Sequence, residues 1–379
     1  MSLLSQCLQN QWLSSFSLEP RPQESQLLRY LSPVLAIVLT LLSGALIFLW
    51  QGQDPLIGLH TFFISPISDS YGLAELGVKA APMLLCAIGL AICYRANIWN
   101  IGAEGQLLMG ALVGAWAALQ VMDSGSRFSL TFALLAGSFA GLLWALIPAV
   151  LRNHFNTNEI LTTIMLNYVA LNLLLWAVHG PLKDPNGFNF PESALFNDSV
   201  TLPIILEDTR LHLGLMFGLL AMVAAWVLLS RTFIGFQLKV IGMDASAGRF
   251  AGYKEKKLVY FALLICGALA GLAGVSEVTG PIGQLVPSIS PGYGYAAIIV
   301  AFLGRLHPVG ITLASLLMAL VYMGGEMGQI DLGLPLAIGS LFQGMLLFYL
   351  LACDVLIGYR VRIKKTVAAT AAMPASEGA

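Results

Sequence analysis

Residues 97–106, NIWNIGAEGQ, place three amide side chains (Asn97, Asn100 and Gln106) and a carboxylate (Glu104) between two long apolar runs. Farther on, NTNEILTTIMLNYVALN sets Glu159, Thr163 and Asn167 four residues apart, along one face of a helix. Amides, hydroxyls and carboxylates in such patterns suit hydrogen bonding to a small polar solute. Glu104 and Glu159 would equally serve to carry a coupling proton or sodium ion, since an ionisable group within a span is a functional candidate by default. Each pattern also has a plainer reading. Residues 97–106 suit a cytoplasmic turn, with Arg95 marking the inner edge of the preceding run, and the 159–167 face suits a hydrogen-bonded seam between helices. Nothing in the sequence supports an intramembrane enzyme, a third class. No Gly-Lys dipeptide occurs, which removes a phosphate-binding P-loop, and HExxH and GxSxG are both absent. The histidines are scattered, and Cys7, Cys86, Cys93, Cys266 and Cys353 have neither CxxC nor metal spacing, so small core residues are expected. No catalytic residue, metal or cofactor is expected.

The elements that position these residues follow from composition. Hydrophobic residues make up 58% and charged residues 10% of the 379 positions, against about 45–50% and about 25% in soluble domains. So few charges cannot wet a globular surface of this size, and an all-α polytopic membrane protein is expected. The net charge of −1 offers nothing to nucleic acid. Spanning runs need roughly 17–25 apolar residues. About ten are predicted, near 31–50, 74–94, 103–122, 130–150, 158–178, 212–230, 258–278, 293–306, 308–325 and 335–353. The eighth and ninth are short and separated only by RLHP. The run from 103 is long enough only if Glu104 and Gln106 lie within it.

Of the 19 Lys and Arg, only Arg127, Lys183 and Arg210 fall in outer segments, and Lys79 falls in a span. The remainder lie on the other side, among them Arg21, Arg95, Arg152, six in residues 231–257, and four in the tail. Positive charge stays inside, so both termini are expected in the cytoplasm. No cleavable signal is expected, because about thirty mostly polar residues precede a first run too long for a signal core. The organisation is then a cytoplasmic segment 1–30, a membrane domain 31–357 and a cytoplasmic tail 358–379. An extracytoplasmic loop covers about 179–211. Spans two to five start outside and spans seven to ten start inside, a topology that suits inverted repeats. Gly110 with Gly114, and Gly267 with Gly271, have GxxxG spacing and are expected to pack helices. Glu75 and Lys79, four apart, are expected to neutralise each other, and Glu277 and Glu326, near outer span ends, to be wet.

Three separated segments carry a specific resemblance: YRANIWNIGAEGQLLMGALVGA (94–115), NTNEILTTIMLNYVA (156–170) and GMDASAGRFAGY (242–253). They resemble the permease subunits of ATP-binding-cassette importers, in the branch serving ribose, branched-chain amino acids and, by the NIGAEGQ form, nucleosides. The resemblance covers roughly residues 30–360. It implies a plasma (inner) membrane pathway built from two permeases, identical or sister. A cytosolic ATPase subunit would dock below and an extracytoplasmic substrate-binding lipoprotein above, so hydrolysis would lie on another chain. Residues 231–257 become the coupling loop to the ATPase, with Gly242, Asp244, Ala247, Arg249 and Gly252 at the matching positions. Asp244 replaces the family's usual Asn and Gly248 its usual Ala. The first change is mild, since both cap helices well; the second weakens a helix by up to about 1 kcal/mol. Asn97, Asn100, Glu104, Gln106, Glu159, Thr163 and Asn167 would line the route of a small polar solute, a nucleoside by this resemblance, in the lipid bilayer. The rival reading is a stand-alone ion-coupled secondary transporter.

Overall fold

A backbone inside hydrocarbon must bond to itself, so the apolar runs become helices. The computed structural model describes residues 16–21, 26–126, 128–187, 189–335 and 337–363. Expectations for Cys7, Arg127 and the tail from residue 364 lie outside the described residues, as does most of segment 1–30. The helices are α1 (Gln26–Trp50), α2 (Pro55–Phe63), α3 (Ser70–Arg95), α4 (Ala103–Val121), α5 (Ser129–Phe155), α6 (Glu159–His179) and α7 (Gly214–Arg231). Then come α8 (Phe233–Met243), α9 (Ala245–Phe250), α10 (Glu255–Glu277), α11 (Tyr293–Leu303), α12 (Pro308–Leu332) and α13 (Ala337–Gly358). Among the described residues, 9 helices are long and apolar enough to cross a membrane: α1, α3 to α7, α10, α12 and α13.

The expected span 293–306 is the one that differs. It is an 11-residue helix, about 16 Å long at 1.5 Å per residue, half of a hydrocarbon core of about 30 Å. Pro287 and Pro291 keep the chain before it irregular, and Gly304 ends it. Its neighbour α12 is longer than expected, running to Leu332. The short helix α2 was not expected. Asp54 caps it, accepting from the Leu56 and Ile57 N–H groups, and Pro55 opens it.

The chain divides into two units, residues 1–43 with 345–379, and residues 44–344. In the first, β1 (Phe16–Pro20) pairs antiparallel with β2 (Tyr359–Ile363). Ser32 donates to the Asp354 carboxylate, and the Ser43 and Tyr349 hydroxyls lie 2.5 Å apart.

The second unit is organised around α3 and α10. The most hydrophobic window of α3 is 89% buried, which leaves little of it for lipid. Helix α10 touches α4 and α5 through glycine. A Cβ on Gly110 would fall 2.3 Å from the Gly271 Cα, and one on Gly141 2.3 Å from the Gly267 carbonyl oxygen. Backbones meet there without side chains between them, the packing expected from the GxxxG spacing. Cys86, Cys93 and Cys266 are free and buried here, as is Cys353 in the first unit. On the side assigned outside by charge, the loop after α6 is strapped to the end of α10. Leu202 N–H donates to Thr279 O at 2.8 Å, Phe196 N–H to Gly283 O at 2.9 Å, and Ser193 N–H to Leu285 O at 3.0 Å.

Candidate functional site

The segment NIWNIGAEGQ begins as the end of α3. Asn97 takes a left-handed backbone (φ 55), its N–H donates to Tyr94 O, and Ile98 N–H donates to Cys93 O, both at 3.0 Å. This is a Schellman termination with Asn standing where Gly is usual. Residues 98–102 then run without helix, and side chains of other helices take up their backbone groups. Thr163 Oγ1 accepts from Ile101 N–H at 3.2 Å, and Asn167 Nδ2 donates to Ile101 O at 2.9 Å. The Tyr94 hydroxyl donates to Asn100 O at 2.9 Å, and Asn100 Oδ1 accepts from Gly102 N–H at 2.9 Å. Asn100 Nδ2 also reaches Cys266 Sγ at 3.2 Å. Cys266 lies about 16 Å along α10 from Glu255 at 1.5 Å per residue, so this irregular backbone sits deep in the bundle. It is no turn at the membrane edge. Backbone of this kind survives at such depth because protein surrounds and satisfies it.

Glu104 lies in the first turn of α4, and a second helix start meets it. Its Oε2 accepts from Gly294 N–H, in the first turn of α11, at 2.7 Å, and the Tyr295 N–H and Ser290 hydroxyl also bond to it. Ser290 Oγ in turn accepts from Gly292 and Tyr293 N–H at 3.1 and 3.0 Å, capping α11. The N-terminus of α11 thus points its unpaired N–H groups and positive dipole end at a carboxylate carried in the first turn of α4. The approach needs glycine: a Cβ on Gly294 would fall 2.3 Å from the Glu104 nitrogen.

The 159–167 face turns toward this segment. Asn167 Oδ1 accepts from Gly105 N–H at 2.8 Å, while its Nδ2 also donates to the Tyr295 hydroxyl at 3.2 Å. Glu159 pairs with Arg152 at 2.6 Å. Asn100, Glu104, Gln106, Thr163 and Asn167 are all buried, and Asn97 is exposed with its Oδ1 accepting from Trp99 Nε1 at 3.0 Å. The stripe therefore serves as the hydrogen-bonding partner of the non-helical segment 98–102. What lies uncovered beside it is aromatic: Trp99, Tyr168 and Tyr295 are 42%, 59% and 43% exposed. Sequence reasoning missed Tyr295, which reads as one more member of the apolar run YGYAAIIV.

In residues 231–257, α8 and α9 form a helical pair. Asp244 caps α9, its Oδ1 accepting from Ser246 N–H at 2.8 Å and from the Ser246 hydroxyl. These donors hold its carboxyl below the usual carboxylate range. Gly252 ends α9 with φ 81, as Tyr253 N–H donates to Gly248 O at 3.0 Å. Gly248 is buried, and a Cβ there would meet Ile241 Cγ1 at 2.8 Å. It thus joins α9 to α8, which the expectation of a merely weaker helix did not contain. Gly242 abuts the end of α3, where a Cβ would fall 2.0 Å from Arg95 O. Ala247 and Arg249 face outward, and so do Met243 and Phe250, 79% and 96% exposed. Nothing in the spacing had singled out that last pair.

The outer charges overturn two expectations. Glu75 and Lys79 do not neutralise each other. Glu75 pairs with Arg210, from the loop before α7, at 2.5 Å and Lys79 with Glu326, from α12, at 2.8 Å. Glu277 is buried rather than wet, with Oε2 lacking a hydrogen bond. A cavity of about 290 Å³ lies beside these pairs, lined by Glu75, Arg210, Tyr71, Asp69 and Glu326 among others.

Comparison with known proteins follows the same pattern. The family model described as "Branched-chain amino acid transport system / permease component" matches residues 72–351. The chain is 35% identical to the glucose ABC transporter permease protein TsgB13 of Haloferax volcanii, over 91% of this chain and 93% of that protein. It is 33% identical to the guanosine ABC transporter permease protein NupP of Bacillus subtilis, over 80% of this chain and 88% of that protein. Identity to the nucleoside ABC transporter permease protein NupB of Lactococcus lactis subsp. cremoris is 29%, over 85% of this chain and 90% of the relative.

Proposed function

We propose, from the premise that the chain belongs to the family of permease components of branched-chain amino acid transport systems, that it carries nucleosides. The chain is a multi-pass inner-membrane permease of an ABC importer, and the ATP that drives it is hydrolysed on a separate subunit. That membership replaces the ion-coupled rival. The names of the guanosine and nucleoside permeases among its relatives support nucleoside cargo. The glucose permease, at 35% identity, favours a second reading in which the cargo is a sugar.

The observation that carries the pathway assignment is the meeting of two broken elements at Glu104. The non-helical segment 98–102 and the half-length α11 both interrupt helix at depth, the arrangement by which transporters place binding sites near the bilayer midplane. Asn97, Asn100, Glu104, Gln106, Glu159, Thr163 and Asn167 shape this region, and a neutral solute rich in hydroxyls and ring nitrogens suits it. Gly242, Asp244, Ala247, Arg249 and Gly252 present α9 to the ATPase within a membrane domain of residues 31–357, and the contact of Gly242 with Arg95 carries motion into residues 97–106. A second permease, identical or sister, completes the pathway, and an extracytoplasmic lipoprotein delivers cargo to the side bearing loop 179–211. Uptake of radiolabelled adenosine and glucose by the reconstituted complex tests this. ATP-dependent adenosine uptake is expected; glucose uptake alone selects the sugar reading, and uptake by this chain without the ATPase refutes both.

A further inference from the structure

Tyr295 combines a fixed position with an uncovered ring. Its backbone N–H bonds to the buried Glu104 carboxylate, and its hydroxyl accepts from Asn167 at 3.2 Å. Asn167 is itself held by Gly105 N–H and Ile101 O. The phenol is anchored at both ends while 43% of the residue stays exposed. Tyr168 follows Asn167, whose side chain bonds the Tyr295 hydroxyl, and lies nine positions after Glu159, about 14 Å along α6 at 1.5 Å per residue.

Tyrosines that anchor a protein in a bilayer sit in belts at its two surfaces. Tyr168 lies in the middle of α6, and Tyr295, in the first turn of α11, belongs to a helix start that meets the buried Glu104, so neither sits in such a belt. Their exposed faces lie beside the broken elements taken above as the route. Seven residues on, about 10 Å along α11 at 1.5 Å per residue, Phe302 stacks with Tyr94 and Trp99 at 5.1 and 6.0 Å. Trp99 is 42% exposed, which supplies a second ring surface toward the side assigned to the cytoplasm.

We propose that Tyr295 is the specificity-determining residue of the pathway and that its exposed face stacks on the planar base of a passing nucleoside. The inference rests on the permease reading above and adds the group that recognises the cargo. Every base has a π-face, so stacking tolerates many bases. A free sugar has none. The buried amides and Glu104 are positioning residues in this arrangement: they hold the ring and do not touch the solute. Trp99 offers the next ring down the route, a spacing that suits transient contacts in succession.

The test uses the reconstituted permease–ATPase–binding-protein complex, with ATP-driven uptake of tritiated adenosine measured at saturating loaded binding protein. Tyr295→Phe and Tyr295→Trp keep a ring and are expected within about twofold of wild type. Tyr295→Leu is expected to lower the rate about tenfold, equivalent to about 1.4 kcal/mol, with thermal unfolding and ATPase rate preserved. Should Leu fail to assemble, Tyr295→Met repeats the measurement with a flexible side chain of similar bulk. Unchanged adenosine uptake in the Leu or Met variant overturns the inference. So does an equal loss in the Phe variant, which would assign the effect to the hydroxyl and its bond to Asn167. A wild-type complex that carries glucose and not adenosine refutes the nucleoside reading itself, and with it a base to stack.

Discussion

Gly242 offers the sharpest test of how the cytoplasmic helices are joined to the transmembrane bundle. Replacing it with Ala adds one methyl group, which would sit 2.0 Å from the Arg95 carbonyl oxygen, 2.9 Å from its carbon and 3.2 Å from the Ala96 Cα. All three are backbone atoms, so no side chain can swing aside. Helix α8 has to withdraw by about 1 Å before the contact reaches 3.0 Å, below which Cβ atoms are essentially never found. Overpacking of this kind costs about 1–3 kcal/mol, and the displacement falls where α8 meets the turn leading into residues 97–106. The expected result is a purified protein that inserts normally, unfolds at a lower temperature, and supports less than about a tenth of wild-type ATP-driven uptake. Partner ATPase activity should persist, because hydrolysis is no longer tied to movement of the bundle. Gly344→Ala is the control. Nothing lies within 4 Å of a Cβ at that exposed helical position, and Ala gains up to about 1 kcal/mol of helix propensity. Wild-type uptake and unfolding temperature in Gly242→Ala would refute the reasoning.

Two further outcomes follow from the outer side. His212 is buried, its Nδ1 accepts from Gly214 N–H at 3.0 Å, and burial pushes its pKa from 6.5 down to about 4. The unfolded chain takes up a proton between those values that the folded chain refuses. Stability is therefore full above pH 6.5 and is lost toward pH 4, by on the order of 3 kcal/mol. Thermal unfolding in detergent across that range should show the slope, and His212→Gln, which can still accept from Gly214, should flatten it; an unaltered slope in that variant refutes the assignment. Arg210→Ala strands the Glu75 carboxylate, whose side chain is only 10% exposed. With Arg210 itself half in solvent, a loss of about 1–2 kcal/mol is expected, and the double variant Glu75→Ala/Arg210→Ala should recover part of it. Equal losses in the single and double variants would show that the pair is not what stabilises this corner.

Much of this architecture is legible in the chain because membranes impose few solutions. Apolar run length gives the spans, glycine spacing gives the contacts of α10 with α4 and α5, and the shortage of apolar residues after 103 places Glu104 within the bundle. Pairings across long separations are not legible. Glu75 finds Arg210 135 residues away and Lys79 finds Glu326 247 residues away, whereas a helical-wheel argument sees only the neighbour four positions along. The half-length of α11 was hidden for a different reason. Hydropathy counts composition, and 293–306 is apolar enough to suggest a span even though the prolines before it send the chain back into the protein by an irregular path. The burial of Asn100 and Gln106 was equally out of reach. A polar residue in an apolar run has two ways to be satisfied, by solute or by backbone, and only coordinates show Thr163 and Asn167 turned toward Ile101.

Helix α10 with its terminal π turn is a single rod of 28 residues, Glu255–Ile282, about 42 Å from end to end at 1.5 Å per residue. One end follows α9 after the Gly252 turn, the other is strapped to the loop after α6, and its middle is locked glycine to glycine against α4 and α5. A lever so held has no slack in which to absorb a displacement. A state of the nucleotide-driven machinery and a state of the outer cap that both bias this rod cannot be independent of each other. Linkage makes that dependence mutual: whatever tightens the cap alters the free energy of closure below by the same amount. With the rod held in this way, arrival of cargo at the cap and closure below would bias one another through one piece of secondary structure.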